Sequence, residues 1–445
     1  MSNLKIISST LILLTIILAL SVANATHALG VTATVTVGSL PGAVAYDSAR
    51  GEIFVANEGV VAGTSTVSVI SDRNNTALAT IPVGEEMLSR AGAMAYDSSK
   101  GEIYVTLETA TGTNPSSSVS VISDSTNAVV ANINVGNDPD GVAYDSGKGE
   151  IFVANGVDST VSVISDSNNT LVATIPVGSG PLGVAYDSGK GEIFVANVGS
   201  GTVSVISDSA ITSVPTPVST PTPTLTPVPT PVSTTVPIPV PTAAPTPFTQ
   251  VPSPAVVANV HVGNYPFGIA YDSGKDEIFV TNIYDDTVSV ISDSDNTVVA
   301  TIPVGEAPYG VAYDSGKSEI FVTNNADNTT SVISDRNDAV VATIPVEAPY
   351  GIAYDSGKSE IFVTNSLITM TNFVSHTVSV ISDSSDSSAS PAPAASVSPT
   401  STVPEFSAEA LILLSVVMVA VTFCTVTLAY KKLTRPNSKS KQTTK

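Results

Sequence analysis

One tripeptide decides what this chain is able to fold into. Tyr-Asp-Ser occurs seven times, with its tyrosine at Tyr46, Tyr96, Tyr144, Tyr186, Tyr271, Tyr313 and Tyr354. The intervals are 50, 48, 42, 85, 42 and 41 residues, and the long one is an ordinary repeat of 42 with 43 residues inserted. A period near 42 with several short strands per unit is the size of a propeller blade. Such a unit cannot bury its faces alone and must stack on its neighbours.

The unit is clearest from Pro181 to Asp208. Leu182–Tyr186 reads as a first strand, and Asp187-Ser188-Gly189-Lys190-Gly191 as a turn of residues that tolerate positive φ or cap their own backbone. Glu192–Ala196 is a second strand; Thr202–Ile206 is a third, alternating Val with small polar residues. The fourth is visible one repeat earlier, at Leu171–Val177 after Asn168-Asn169-Thr170. The repeats fall near residues 41–84, 92–136, 139–178, 181–263, 266–305, 308–346 and 349–384. They are permuted: a fourth-type strand, Thr32–Val37, stands first, and the last repeat stops at a third-type strand, Thr377–Ile381. The first strand therefore completes the last blade and removes the open edges. The expectation is an all-β, seven-bladed propeller over residues 26–384, closed by an N-terminal strand.

The second strand carries a motif. It reads IFVAN at Ile53–Asn57, Ile151–Asn155 and Ile193–Asn197, and IFVTN at Ile278–Asn282, Ile320–Asn324 and Ile361–Asn365. The second repeat departs from it with Ile103-Tyr104-Val105-Thr106-Leu107. The motif resembles the YVTN family of β-propeller repeats, common in archaeal surface-layer proteins. The resemblance covers residues 32–384; it implies the propeller fold and a surface setting, and says little about activity.

Residues 210–255 hold 14 of the chain's 30 prolines among Thr, Ser and Val. They replace the turn between the third and fourth strands of blade four and read as an extended polyproline II arm. The alternative is a linker between domains of four and three repeats; the single closure strand favours one ring. Residues 385–407 form a second Ser/Pro-rich tract, expected to be a stalk.

The ends read as targeting segments. Residues 1–25 carry Lys5, an apolar run Ile6–Leu20 and Ala23-Asn24-Ala25, the pattern of a cleaved signal peptide. Residues 408–430 include 21 uncharged residues, Ala410–Tyr430, long enough to span a bilayer, and residues 431–445 form a basic tail. The positive-inside rule puts that tail in the cytoplasm and the propeller outside. Pro404-Glu405-Phe406, then a hydrophobic helix, then a basic tail, resembles the sorting signal of archaeal surface proteins processed by archaeosortases. That resemblance implies exchange of the helix for a lipid; simple anchoring is the alternative.

Charge and composition exclude several functions. The net charge is −22, and residues 26–409 alone carry −29, so a nucleic-acid partner is repelled. The single Cys424 lies in the expected span, and His27, His261 and His376 show no placement for a haem ligand or metal site. No cofactor is expected. Asp47, Asp145, Asp187, Asp272, Asp314 and Asp355 recur with the period, as turn residues do, whereas catalysis needs a singular site. Ser292–Asn296 lacks the Gly and the distant Glu of a calcium loop. The expectation is a non-enzymatic envelope protein with a structural, adhesive or partner-binding role, its partner an envelope protein or glycan. The alternative is an extracellular lyase or hydrolase with a ligand site at the channel mouth.

Each face of a propeller collects two kinds of connection. The stalk and the arm leave from the face of the 1–2 and 3–4 turns, so the 4–1/2–3 face is expected to point away from the membrane. There the 2–3 loops of blades one, two and seven are long: Asn57–Ser65, Glu108–Ser118 and Asn365–His376. Phe267, Tyr309 and Tyr350 precede the first-strand glycine in blades five to seven, where blades three and four have Asp140 and Leu182. These aromatics are the candidate binding residues, for a sugar face or a peptide; packing on neighbouring blades is the alternative. Asn74, Asn168 and Asn328 lie in Asn-x-Thr sequons, as glycan acceptors or as ordinary turn residues.

Overall fold

The computed structural model describes residues 29–59, 65–83, 92–109, 116–208, 254–366 and 376–383. These form seven four-stranded antiparallel sheets. In blade three the strands are Pro139–Asp145, Glu150–Asn155, Thr160–Ser165 and Thr170–Pro176, running from the channel to the rim. The first strand of each blade packs on that of the next, and blade seven packs on blade one. The segments expected to be a signal peptide, a stalk, a sorting signal at Pro404-Glu405-Phe406, a membrane span and a basic tail, with most of the Pro-rich tract, lie outside the described residues. Among the described residues, no helix is long and apolar enough to cross a membrane.

The ring closes as the permuted repeat requires. Leu29–Thr36 pairs antiparallel with Thr377–Asp383, with Thr34 opposite Ser379 and Val35 opposite Val378. In blade four, Thr202–Ser207 pairs with Ala255–His261, with Ser207 opposite Ala255. The Pro-rich tract is thus inserted within one sheet, and its two ends emerge side by side on the face of the 1–2 and 3–4 turns. The chain also reaches that face at the end of Thr377–Asp383.

The IFVAN pattern follows from burial on both sides. In the second strand of blade three, Phe152 and Ala154 face blade four, where they meet Ile193, Val195 and Ile206. Ile151 and Val153 face the other way and meet Tyr104, Val119 and Val121 of blade two. A strand buried on both faces reads as a continuous apolar run rather than an alternation. Each fully buried Phe contributes on the order of 1.5–3 kcal/mol relative to exposure. Blade two substitutes Tyr104, whose hydroxyl lies 2.6 Å from Asn169 Oδ1 and 3.2 Å from Glu102 Oε2.

The Asn that ends the motif stops the strand. Asn155 Nδ2 donates to Thr160 Oγ1 and Ser162 Oγ at 3.0 Å, which pins the 2–3 turn. Blade two has Leu107 here, and its hairpin continues: Leu107 pairs with Ser118, Glu108 with Ser117 and Thr109 with Ser116. The loop expected over Glu108–Ser118 is therefore partly strand, because nothing draws the backbone out of the ladder at Leu107.

The IFVTN variant has its own role. Thr281 Oγ1 accepts Gly268 N–H at 2.8 Å and donates to Tyr309 O of blade six at 2.8 Å. Thr323 links Gly310 to Tyr350 O, and Thr364 links Gly351 to Gly42 O, in the same way. Thr106 joins Ala93 to Asp140 O. All four side chains are fully buried. Each hydroxyl ties its own first strand to the next blade.

The aspartates of the repeat are turn residues, as expected. Asp145 Oδ1 accepts Gly147 N–H at 2.8 Å and Lys148 N–H at 3.2 Å, and the other six copies have the same arrangement. The side chains are fully buried, and Oδ2 meets no donor at hydrogen-bonding geometry. The tyrosine of the following blade stands over that carboxylate, as Tyr186 does over Asp145; burial and the adjacent Asp push its hydroxyl up to about 12. The tripeptide therefore joins consecutive blades, its Asp closing one turn and its Tyr covering the Asp before it.

Candidate binding face

The 4–1 and 2–3 connections gather around one mouth of the channel. A cavity of about 190 Å³ opens there. Its wall is mostly Gly, Ala, Val, Ile, Leu and Met from the first strands, with Asp140, Phe267 and Tyr350 the exceptions. Phe267 lies 5.1 Å from Tyr309, edge to face, and 6.1 Å from Tyr350. Tyr309 and Tyr350 are 4.8 Å apart at 35°. The three candidate aromatics thus form one half-buried cluster across blades five to seven, packed on one another rather than each in its own blade core. Asp140 and Leu182 occupy the corresponding places in blades three and four, so the mouth is aromatic on one side only.

A second aromatic pair extends this side. Tyr265, in the 4–1 connection of blade five at φ 59°, stacks on Tyr284 of the 2–3 turn with centroids 4.6 Å apart. Tyr284 is 71% exposed. These two escape a reading of the repeat because they sit in connections, where the period fixes no residue type. The available signal was an aromatic in turns whose equivalents have none: Leu40, Asp138, Gly180, Ala307 and Ala348 for Tyr265, and Val157, Gly199 and Ala326 for Tyr284.

Charge is segregated between the faces. Among the described residues, Glu58, Asp138, Asp140, Asp158, Asp285, Asp286, Glu306, Asp327 and Glu347 lie on the mouth face, and no Lys or Arg does. The described bases lie on the opposite face, where several bridge adjacent blades. Lys148 reaches Asp208 at 3.7 Å and Lys275 reaches Asp338 at 3.1 Å; Lys358 donates to Asp72 O across the closure. With the lysine end in solvent, such pairs contribute about 1 kcal/mol or less each. On the mouth face the acids brace connections instead: Asp158 and Asp285 accept backbone and side-chain N–H groups of Asn137 and Asn264 at 2.7–2.9 Å. Those bonds hold both carboxyls below the usual range. Glu58, in the 2–3 loop of blade one, is pushed up to about 8 by burial. Residues 60–64, 110–115 and 367–375 of the three long loops lie outside the described residues.

The sequon asparagines are all exposed and all in turns. Asn74 and Asn168 accept the hydroxyls of Thr76 and Thr170 at 2.8 and 2.7 Å, on the face opposite the mouth. Asn328, at φ 56°, accepts Ala348 N–H at 2.9 Å on the mouth face. Ser292–Asn296 is an ordinary 3–4 turn with Asn296 at φ 57°. Among the described residues, no group of three or more His, Cys, Asp or Glu is placed to hold a metal ion.

Stability should rise on mild acidification. Burial, as the leading cause, raises the carboxyl pKa of Glu58, Asp72, Asp124, Asp145, Glu150, Glu192, Asp272, Glu277, Asp293 and Glu360. Among the described carboxyls, Asp158 and Asp285 shift down. A raised carboxyl binds more protons folded than unfolded, so its contribution is present at low pH and lost as pH rises through the folded value. Thermal melts should therefore give a higher Tm near pH 5 than near pH 8. A Tm that falls steadily below pH 8 would refute the assignment.

The described residues define a closed seven-bladed β-propeller with one acidic, aromatic channel mouth. No protein-family model matches the chain, and no curated protein matches it. Among solved structures, one described as Kuenenia stuttgartiensis hydrazine synthase is similar with a TM-score of 0.56 at 15% identity, over 78% of this chain and 97% of that one. The structure of U3-55K is similar with a TM-score of 0.58 at 11% identity, over 80% of this chain and 99% of that one. Identities this low carry the propeller architecture and nothing of activity.

Proposed function

We propose that this chain is a non-enzymatic binding propeller of the cell envelope, held at the surface by its C-terminal segment, and that its mouth face takes a partner protein presenting basic groups. The observation that carries this reading is the coincidence, on one face, of an aromatic cluster and nine acids with no described Lys or Arg. Aromatic faces attract cations, and an acidic rim steers them. The surface setting rests on the signal-like start, the apolar C-terminal run and the resemblance to YVTN repeats. The enzymatic alternative finds less support, because Asp140 and Tyr350 are the ionisable side chains in a wall otherwise of small and aliphatic residues and Phe267.

The test is chemical crosslinking of the full chain in its native membrane, followed by titration of the captured partner. A Tyr309→Ala/Tyr350→Ala double variant should bind at least about tenfold more weakly, as for interface aromatics generally, with little change in Tm. Binding should also weaken with added salt. Unchanged affinity in the double variant would remove the face from consideration. Salt-independent capture of a neutral glycan would replace the basic partner with a carbohydrate.

A further inference from the structure

The rim of the propeller has a chemistry unlike the rest of the molecule. Its seven outermost strands are Leu29–Thr36, Thr76–Pro82, Ala128–Asn134, Thr170–Pro176, Ala255–His261, Thr297–Pro303 and Ala339–Pro345. None contains Asp, Glu, Lys or Arg. Both flanking faces are rich in acids. The one uncharged belt on a strongly anionic body is thus also its set of open sheet edges.

Each edge carries the same irregularity. In blade three, Val163 pairs with Ala173 and Ile164 with Leu171, so Val172 is an extra residue in the ladder. The same register shift singles out Leu78, Val130, Val257, Val299 and Val341 in five other blades, and Thr32 in the closing strand. A bulge sets two successive residues against one partner and re-aims a side chain. The six aliphatic residues are 41–54% exposed, and Leu171, Val298 and Val340 beside them are 37–45% exposed. A bulge ordinarily blunts an edge, and charged residues ordinarily guard it. Here the bulge is present and the charges are absent. What remains is a row of aliphatic knobs above unpaired backbone.

We infer that the rim is a lateral contact surface for a second copy of this chain. Charge selects that occupant. Two copies repel through either acidic face, and the belt is where they approach without like charges opposed. Because six of the seven blades repeat the aliphatic knob, one rim offers a matching surface to another in several rotational settings, and an isologous contact about a two-fold axis needs no second patch. This contact is independent of the mouth face, which stays open when propellers meet side by side.

The experiment is sedimentation velocity of the full chain in detergent over a wide concentration range. The wild type should show mass per particle rising at least twofold with concentration, and added salt should move the transition to lower concentration by screening the faces. A variant changed at all six knobs, Leu78→Glu/Val130→Glu/Val172→Glu/Val257→Glu/Val299→Glu/Val341→Glu, should stay at one chain per particle across the same range. A variant with Thr at those six positions, the residue type that blade seven already carries at Thr32, should associate less than wild type and melt at the same temperature. A wild type that remains single at every concentration and salt, or a sixfold Glu variant that associates like wild type, overturns the inference. The second result would place association in another segment.

Discussion

Gly268→Ala is expected to break the junction of blades five and six. A Cβ at this position would stand 2.2 Å from Tyr309 O, a backbone atom that no rotamer change moves away. The same carbonyl accepts the Thr281 hydroxyl, so displacing it also breaks the bond that ties the two blades. Overpacking a close-packed site costs about 1–3 kcal/mol, and stranding a buried hydrogen-bond partner adds about 1–3 kcal/mol. The sum is a large share of the stability of an ordinary domain. Denaturant titration of Gly268→Ala should show a loss of about 3 kcal/mol or more. Gly30→Ala, with open space around its Cβ, should be close to neutral. A Gly268→Ala variant as stable as wild type would mean that the blades slide apart freely. Blades one and two carry Ala43 and Ala93 at this place, and in blade two Thr106 still joins Ala93 to Asp140 O, so the cost is specific to junctions built around glycine.

Deleting residues 29–36 should have an effect at least as large. The strand supplies the outer edge of blade seven, and Val35 joins the cluster of Phe362, Val378 and Val380 packed against Val44, Ile53 and Val55 of blade one. Its removal leaves Thr377–Asp383 as a bare edge at the one junction where the ring's two ends are held by noncovalent pairing alone. Loss of closure exposes two adjacent blades, so the expected outcome is aggregation or loss of cooperative unfolding, read by calorimetry and light scattering. A permuted chain that carries the strand after residue 383, in place of its own start, should recover the transition. A deleted chain that melts like wild type would show that six complete blades and one incomplete blade suffice.

The period, the strand types and the closure were legible because a repeated unit must solve one packing problem seven times. Phe152 and Val153 point to opposite neighbours, and the sequence shows this as an unbroken apolar run. Asp145 closes its turn locally, so its role is visible from four residues. The aromatic candidates at Phe267, Tyr309 and Tyr350 were also legible as departures from the repeat, though not their contact with one another. Tyr265 and Tyr284 were not legible, since the period fixes no residue type at their places in the 4–1 and 2–3 connections. Neither was the Thr/Ala alternation in IFVTN and IFVAN, because the hydroxyl's second partner is a carbonyl 28 residues further on, at Tyr309 for Thr281.

The sequence by itself therefore determined the number of blades, the order of strands within each and the strand that closes the ring. All of these follow from local alternation and spacing. Only the tertiary structure decided which of these residues meet: the three aromatics as one cluster, the acids around one mouth, and the uncharged fourth strands as one belt. A residue's place in its own repeat fixes the face it reaches, but residues far apart in the chain come together only when the blades are set around an axis. The physical reason is that blade formation depends on contacts inside the unit and with its neighbours, whereas a surface is a sum over all seven.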